Sequence, residues 1–282
     1  MTTSEAVEAV DVVVGAGSGM GAASAAALKG SRRLLLVDRD EEAVQRVADE
    51  VGGEAVVCDL TDSAAIDELS ARIGKLGSMI VTAGVSGAPG EVTIAINLVG
   101  VARLLHAVEP AVGEGTAVVL FASMTDLMQL SPEIVSVLDE PLHPDLIARL
   151  RAAGADPSDP GQGYVLSKTG IVRLVRNNAF DWWHRGARIV SVSPGVIDTP
   201  MLAQTSHLPV VQQMKKTVRR FGRPEEVGQV AAFLASDKAS YVTGVNLNVD
   251  AGYVTATQER TALRELYEDS SDASVEQLDR GA

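Results

Sequence analysis

Cysteine is nearly missing from this sequence: Cys58 is the only one in 282 residues. A single thiol excludes an intrachain disulfide and leaves no cysteine-based metal site. It also suits a reducing compartment, and the cytoplasm is the expected location. The four histidines, His106, His143, His184 and His207, are scattered without ligand spacing, so no metal is assigned. Aromatic residues supply only 4% of the chain while apolar residues supply 46%, so Val, Ala, Leu and Ile must do the packing. That balance suits a parallel sheet covered by helices. Basic residues are outnumbered 24 to 37, a net charge of −13, which argues against nucleic acid or an anionic membrane as a partner. No apolar run reaches the ~18 residues that a membrane helix needs. The longest, such as Thr116 to Phe121 and Ile189 to Val192, have strand length. Met1 to Ala9 is acidic and lacks the basic and apolar regions of a signal peptide.

What is present is a steady alternation. Apolar strand patterns fall at Val10 to Val14, Arg33 to Val37, Ala55 to Cys58, Met79 to Val81, Thr116 to Phe121, Ala187 to Val192 and Val245 to Val249, with helical patterns between them. This predicts an α/β fold, a doubly wound parallel seven-stranded sheet in a single domain. The long helix is expected over Thr93 to Ala111. One stretch breaks the rhythm. Residues 125–162 contain Pro132, Pro141, Pro144, Pro157 and Pro160, and read as a helical insertion too small for its own core. Met201 to Val218 is expected to be a mobile segment with one helix. The domain is placed at residues 1–257. Residues 258–282 carry seven acids and three Arg and are expected to be a flexible acidic tail.

Three groups of residues carry chemistry. Gly15, Gly19 and Gly21 follow the first strand pattern and open a helix, spaced G-x-x-x-G-x-G. Small residues there let a backbone approach a pyrophosphate, while the helix N-terminus offers amide donors. Asp38 closes the second strand, where an acid accepts from ribose hydroxyls and repels a 2′-phosphate. That favours NAD over NADP, although the adjacent Arg39 is a guanidinium able to receive phosphate. Asp59 follows the third strand, either as an adenine contact or as a helix cap. Tyr164 and Lys168 stand four residues apart at the start of a helical pattern, on one face. An ammonium beside a phenol favours the phenolate and equips it to pass a proton.

Together these residues resemble the short-chain dehydrogenase/reductase family, over about residues 9–256. The likeness rests on Gly15, Gly19 and Gly21, then Asp59, Ala83-Gly84, Asn97, Ser123, Tyr164 with Lys168, Pro194-Gly195 and Thr199, in the family's order. It implies a Rossmann-type subunit with NAD(P) across the carboxyl edge of the sheet. Tyr164 would be the general acid/base, Lys168 would lower its pKa and hold the nicotinamide ribose, and Ser123 would bond the substrate oxygen. Asn97 would hold a water linking Lys168 to solvent. The cofactor would touch Gly15, Ser18, Gly19, Met20 and Gly21 at the turn, and Asp38, Asp59 and Leu60 at its adenosine end. Ala83, Gly84, Tyr164, Lys168, Pro194, Gly195, Ile197 and Thr199 would complete the set, with Thr199 and the Ile197 backbone on the carboxamide. Two hydroxyl donors would stabilise charge developing on a carbonyl oxygen.

Three positions depart from the family pattern. Val14 and Thr82 stand where a threonine and an asparagine are usual, which implies altered bonding between sheet and loop. Ser123 and Tyr164 lie 41 residues apart, farther than the family norm. With Asp38, that spacing resembles the bacterial 3α-hydroxysteroid dehydrogenase/carbonyl reductase branch, in which the insertion obstructs the usual helix-paired dimer interface. A homodimer or homotetramer is expected. Met124, Leu127, Met128 and Leu130, with Met201 and Leu202, either line an apolar pocket for a steroid, terpenoid or other alicyclic alcohol or simply pack their loops. The leading expectation is therefore NAD-dependent interconversion of a secondary alcohol and a ketone. The alternatives are an NADPH-dependent 3-oxoacyl reductase and a non-catalytic NAD-binding sensor or scaffold.

Overall fold

The central strands are buried on both faces, so their side chains divide between two cores by simple alternation. In β1 (Val10–Val14), Val12 and Val14 enter one core and Val13 the other. β2 (Arg33–Asp38), β4 (Leu76–Val81) and β5 (Ala117–Phe121) split in the same way. With β3 (Glu54–Val57), β6 (Arg188–Pro194) and β7 (Asn246–Val249) they form one seven-stranded sheet, order β3-β2-β1-β4-β5-β6-β7, parallel throughout. The expected doubly wound sheet is borne out. These observations come from a computed structural model, which describes residues 8–30, 32–124, 127, 129–206 and 209–259.

Helices α1 (Gly19–Leu28) and α2 (Glu41–Val51) cover one face of the sheet, and α3 (Ser63–Ala71) lies on the other. Asp40 caps α2 by accepting from Ala43 N at 3.0 Å, and Asp62 caps α3 by accepting from Ala64 N at 2.9 Å. The long helix begins earlier than its sequence pattern suggests. It runs as α4 (Gly90–Ile94), a π-helical stretch Ala95–Gly100, and α5 (Val101–Val108), with a last tight turn at Glu109–Ala111. By length and composition Gly90–Ala111 would suffice to cross a membrane, a correction to the reading from uninterrupted runs. Here more than half of it is buried, packed against α3 and the long helix α8 described next.

The insertion holds α6 (Pro132–Leu138) and α7 (Leu146–Ala152). It ends sooner than expected, because Pro160 is the first residue of helix α8 (Pro160–His184) and Asp159 is its cap, accepting from Gln162 N at 2.7 Å. Ile134, Val137, Leu138, Leu146 and Leu150 join the core beneath α8. Asp139 accepts from Arg173 Nε and Nη2 at 2.6 and 2.9 Å and from Asn177 at 2.8 Å, tying the insertion to α8.

After β6 come two helices where one was expected, α9 (Pro200–Thr205) and α10 (Pro209–Thr217); prolines begin both. Helix α11 (Pro224–Ala235) returns to the face of α1. Residues 253–259 are helical, so helix continues past the expected domain boundary at 257. The rest of the acidic tail lies outside the described residues.

Candidate active site

The strand order reverses between β1 and β4, and ligands in open α/β sheets sit at such a point. The turn after β1 is built to keep side chains out. Gly15 has φ +86°, and a Cβ there would lie 2.5 Å from Ala83 N and 2.7 Å from Thr82 Oγ1. A Cβ on Gly21 would collide with the Gly15 carbonyl. Gly19 has φ +53° and faces the Thr199 methyl, 3.3 Å from the position its Cβ would take. Thr82 Oγ1 lies 3.1 Å from both the Val14 and Gly15 carbonyls. The threonine that departs from the family pattern therefore still ties sheet to loop. Ser18 precedes α1 without capping it through its side chain, and Met20 packs against the core on the α1 face.

Asp38 reaches this turn. Its Oδ2 accepts from Gly17 N at 2.9 Å and its Oδ1 from Asp40 N at 3.1 Å. The other end of the Gly17 residue is held as well, since Arg46 Nη2 donates to its carbonyl at 3.1 Å. Sequence reasoning passed over both Gly17 and Arg46; an arginine on an exposed helix face gives no sign of such a contact. Asp59 bonds locally, accepting from the Thr61 amide and hydroxyl, each at 2.8 Å. Those bonds hold its carboxyl below the usual range. Leu60 is buried, and its carbonyl lies 2.6 Å from where a Gly100 Cβ would be. Cys58 is buried, and burial with the nearby Asp59 charge pushes its thiol up to about 11, so it is unreactive.

Ser123, Tyr164, Lys168 and Asn97 converge from three elements. Ser123 follows β5, and its hydroxyl stands near enough to the Tyr164 phenol to favour the phenolate. Tyr164 and Lys168 lie one turn apart near the start of α8. Lys168 is only 5% exposed, and its Nζ donates to the Phe121 carbonyl at 2.9 Å. Burial lowers the ammonium to about 8. Burial also raises the phenol, an effect opposed by the nearby Ser123 hydroxyl. In the cofactor-free chain desolvation is thus the larger influence on both groups.

Asn97 sits in the π-helical stretch, a distortion that recurs at functional sites. Its side chain pairs with one residue, accepting from Val85 N at 2.7 Å and donating to Val85 O at 2.9 Å. It also donates to Ser167 Oγ at 3.4 Å, and Ser167 donates to the Tyr164 carbonyl at 2.8 Å. Ser167, fully buried, therefore joins the Asn97 helix to the tyrosine. It went unnoticed in the sequence because a helical serine carries no signal of its own. Gly84 fills the gap between these groups: a Cβ there would lie 3.1 Å from Asn97 Oδ1 and 3.3 Å from Lys168 Nζ.

The third wall follows β6. Gly195 N donates to Val249 O at 3.0 Å, and a Cβ on Gly195 would lie 2.9 Å from Asp250 Cα. Ile197 is buried and forms a parallel bridge with Gly222. Thr199 Oγ1 donates to Ile197 O at 3.4 Å, and its methyl rests on Gly19. Of the apolar pocket candidates, Leu130 packs into the core, Met201 is 39% exposed, and Met128 lies outside the described residues. Among the described residues no group of three or more His, Cys, Asp or Glu is placed to hold a metal ion.

Residues 9–134 match the family model described as short chain dehydrogenase, and residues 151–254 match the model described as Enoyl-(Acyl carrier protein) reductase. The D-threitol dehydrogenase of Mycolicibacterium smegmatis (strain ATCC 700084 / mc(2)155) is 31% identical over 268 residues, covering 86% of this chain and 92% of its own. The cyclohexanol dehydrogenase of Acinetobacter sp. (strain SE19) is 30% identical over 250 residues, covering 87% and 95%. Among solved structures, the 3-alpha-hydroxysteroid dehydrogenase from Pseudomonas sp. B-0831 complexed with NADH is similar with a TM-score of 0.72 at 25% identity, covering 89% of this chain and 99% of that one. The sheet order, the glycine turn and these relatives agree that the chain belongs to the short-chain dehydrogenase/reductase family, as an alcohol oxidoreductase with a nicotinamide cofactor.

Proposed function

We propose that the enzyme interconverts a secondary alcohol and its ketone with NAD, with Tyr164 as general acid/base. The observation that carries this reading is the convergence of Ser123, Tyr164 and a buried Lys168 held by the Phe121 carbonyl. The turn fits a dinucleotide cradle: Gly15 and Gly21 let it close against the Ala83 and Gly15 backbone with no side chains between, at the start of a helix, and Asp38 stands where ribose hydroxyls would be received. Gly15, Ser18, Gly19, Met20 and Gly21 hold the phosphates. Asp59 and Leu60 face the adenine, and Ala83, Gly84, Pro194, Gly195, Ile197 and Thr199 the nicotinamide half. When bound, NAD supplies the hydride chemistry.

The residues of the chain manage the proton and the charge. Ser123 and Tyr164 donate to the substrate oxygen, where negative charge grows as the carbonyl is reduced. Tyr164 Oη gives up its proton to that oxygen in reduction and takes one back in oxidation. Lys168 orients the ribose and replenishes the phenol. Asn97, anchored on Val85, holds the water that connects Lys168 to solvent. Tyr164→Phe should leave NADH affinity within about threefold of wild type while turnover falls by about a thousandfold, the scale of general acid/base catalysis. Initial rates with NADH fluorescence titration check this, and retained turnover defeats the mechanism.

The substrate reading is an alicyclic alcohol, a hydroxysteroid, terpenoid or cyclohexanol type. The cyclohexanol dehydrogenase relative and the 3-alpha-hydroxysteroid dehydrogenase neighbour support it. The C-terminal match to a model for reductases of acyl-carrier-protein substrates supports a second reading, the NADPH-dependent 3-oxoacyl reductase. Asp38 weighs against that, because its carboxylate opposes a 2′-phosphate. Asp38→Ala should weaken NADH binding by about tenfold and narrow the gap to NADPH, since a lost charged hydrogen bond costs about 1.5–3 kcal/mol. Wild-type preference for NADPH would select the acyl reductase.

A further inference from the structure

We propose that the alcohol this enzyme takes carries an anionic group, a carboxylate or a phosphate, drawn in by Lys215, Lys216 and Arg219 beside the active-site edge. The inference rests on the reading of Tyr164 and Ser123 as the reacting end of the cleft. Residues 199–224 hold five Lys and Arg and no Asp or Glu, within a chain of net charge −13. This segment is the positive pole of an acidic protein. Its position is fixed at both ends: Asp198 N donates to Gly222 O at 2.8 Å, and Gly222 N to Val196 O at 3.0 Å. Within it Val211 and Met214 are buried, and the Met214 methyl lies 3.5 Å from where a Cβ on Gly195 would be, at the carboxyl ends of β6 and β7. Helix α10 is therefore seated on the edge of the sheet where Ser123 also emerges.

Two of the five cations are already engaged. Arg220 donates to both Glu226 oxygens at 2.8 and 2.7 Å, and Arg223 lies 3.6 Å from the same carboxylate. Lys215, Lys216 and Arg219 are exposed, and no carboxylate pairs with them among the described residues. An acidic surface repels anions, so a positive stretch on the helix seated at that edge favours their approach there. A neutral alcohol gains nothing from such a field. The cofactor is also anionic, but its phosphates are assigned to the glycine turn, so its affinity is measured separately.

The test uses the full chain loaded with NAD, which has no hydride to give a ketone, and three ketones of one shape: 4-methylcyclohexanone, 4-oxocyclohexanecarboxylate and 4-oxocyclohexyl phosphate. Calorimetric titration should give at least one anion an affinity about tenfold above the neutral ketone at low salt, the lower end of electrostatic focusing. The margin should collapse in about 0.5 M salt, where screening acts within a few ångströms. It should also vanish in the triple variant Lys215→Gln, Lys216→Gln, Arg219→Gln, with Lys215→Gln alone giving part of the loss. Equal affinities in wild type overturn the proposal. So does a preference that survives the triple variant, or a triple variant that loses NADH affinity and keeps the preference. Whichever anion binds tighter identifies the group. Binding is read without turnover, so failure of Tyr164 as acid/base would leave this result standing on its own.

Discussion

The two sides of the cleft are made in opposite ways. On the β1 side, function comes from what is left out. Gly15 and Gly21 bring backbone against backbone, and the Asp38 carboxylate is held by the Gly17 and Asp40 amides. On the β5–α8 side, polar side chains are packed in: Asn97, Ser167 and Lys168 are buried and bonded to main-chain carbonyls or to one another. The first side is a steric construction and tolerates no added atoms. The second is electrostatic, and it responds to protonation and to the loss of a partner.

The steric side should break hardest. In Gly21→Ala the new methyl meets the Gly15 carbonyl and lies 2.7 Å from Thr82 Oγ1. Neither backbone nor the sheet-anchored threonine can retreat, so α1 must tilt away from its turn. Overpacking of this kind costs about 3 kcal/mol, and NADH affinity should fall at least as far. Gly19→Ala meets only the Thr199 side chain and the strain of its positive φ, for about 1–2 kcal/mol. Thermal melts with NADH titration rank the pair, and equal behaviour of the two variants would remove the distinction between backbone and side-chain neighbours.

The electrostatic side should reveal itself through pH. Lys168 falls from its ordinary 10.5 to about 8 because burial disfavours the ammonium. Below pH 8 the folded chain carries the cost of that buried charge. Between about 8 and 10.5 the unfolded chain binds more protons, so stability rises with pH. Lys168→Met lacks this group. The stability of wild type relative to Lys168→Met should therefore climb from pH 7 to pH 10, by up to about 3 kcal/mol at 1.36 kcal/mol per unit. Denaturant melts at the two pH values measure it, and a flat difference would mean that Lys168 is not desolvated. The glycine variants of the turn keep Lys168, so their stability relative to wild type should be flat over the same range.

This division also explains what could be read before the structure. Composition and period placed all seven strands: the central ones because parallel strands buried on both faces are almost wholly apolar, and the partly exposed edge strands β3 and β7 because the alternation with helices continues to them. The glycines and Asp38 were legible because their spacing is set by a local turn. Tyr164 and Lys168 were legible as an i, i+4 pair. The links between them were not. Ser167, the Val85 backbone and the Phe121 carbonyl are brought together by packing across 12 to 70 residues of sequence, and their residue types signal nothing. Helix starts at Gly90 and Pro160 were missed for another reason: glycine and proline read as breaks, whereas Pro160 supplies a first turn behind its Asp159 cap.

The insertion gives the mildest and most selective test, because it is fastened to one side only. Asp139 binds Arg173 through two bonds and Asn177 through a third, all on α8. The pair is partly exposed, at 25% for Arg173 and 30% for Asp139, so Asp139→Ala should cost about 1–2 kcal/mol, between a surface pair and a buried one. The Arg173 bonds hold the Asp139 carboxyl below its ordinary range. Its contribution is thus complete above the unfolded carboxylate pKa and is lost as pH falls through the lower folded value. The gap between wild type and Asp139→Ala should close in acid. Loosening α6 and α7 also loosens what surrounds α8 without touching Gly15, Gly21 or Asp38. Asp139→Ala should therefore raise KM for the alcohol by a few-fold and leave NADH affinity unchanged; an equal loss in both would mean that the insertion supports the whole sheet edge and not the catalytic side alone.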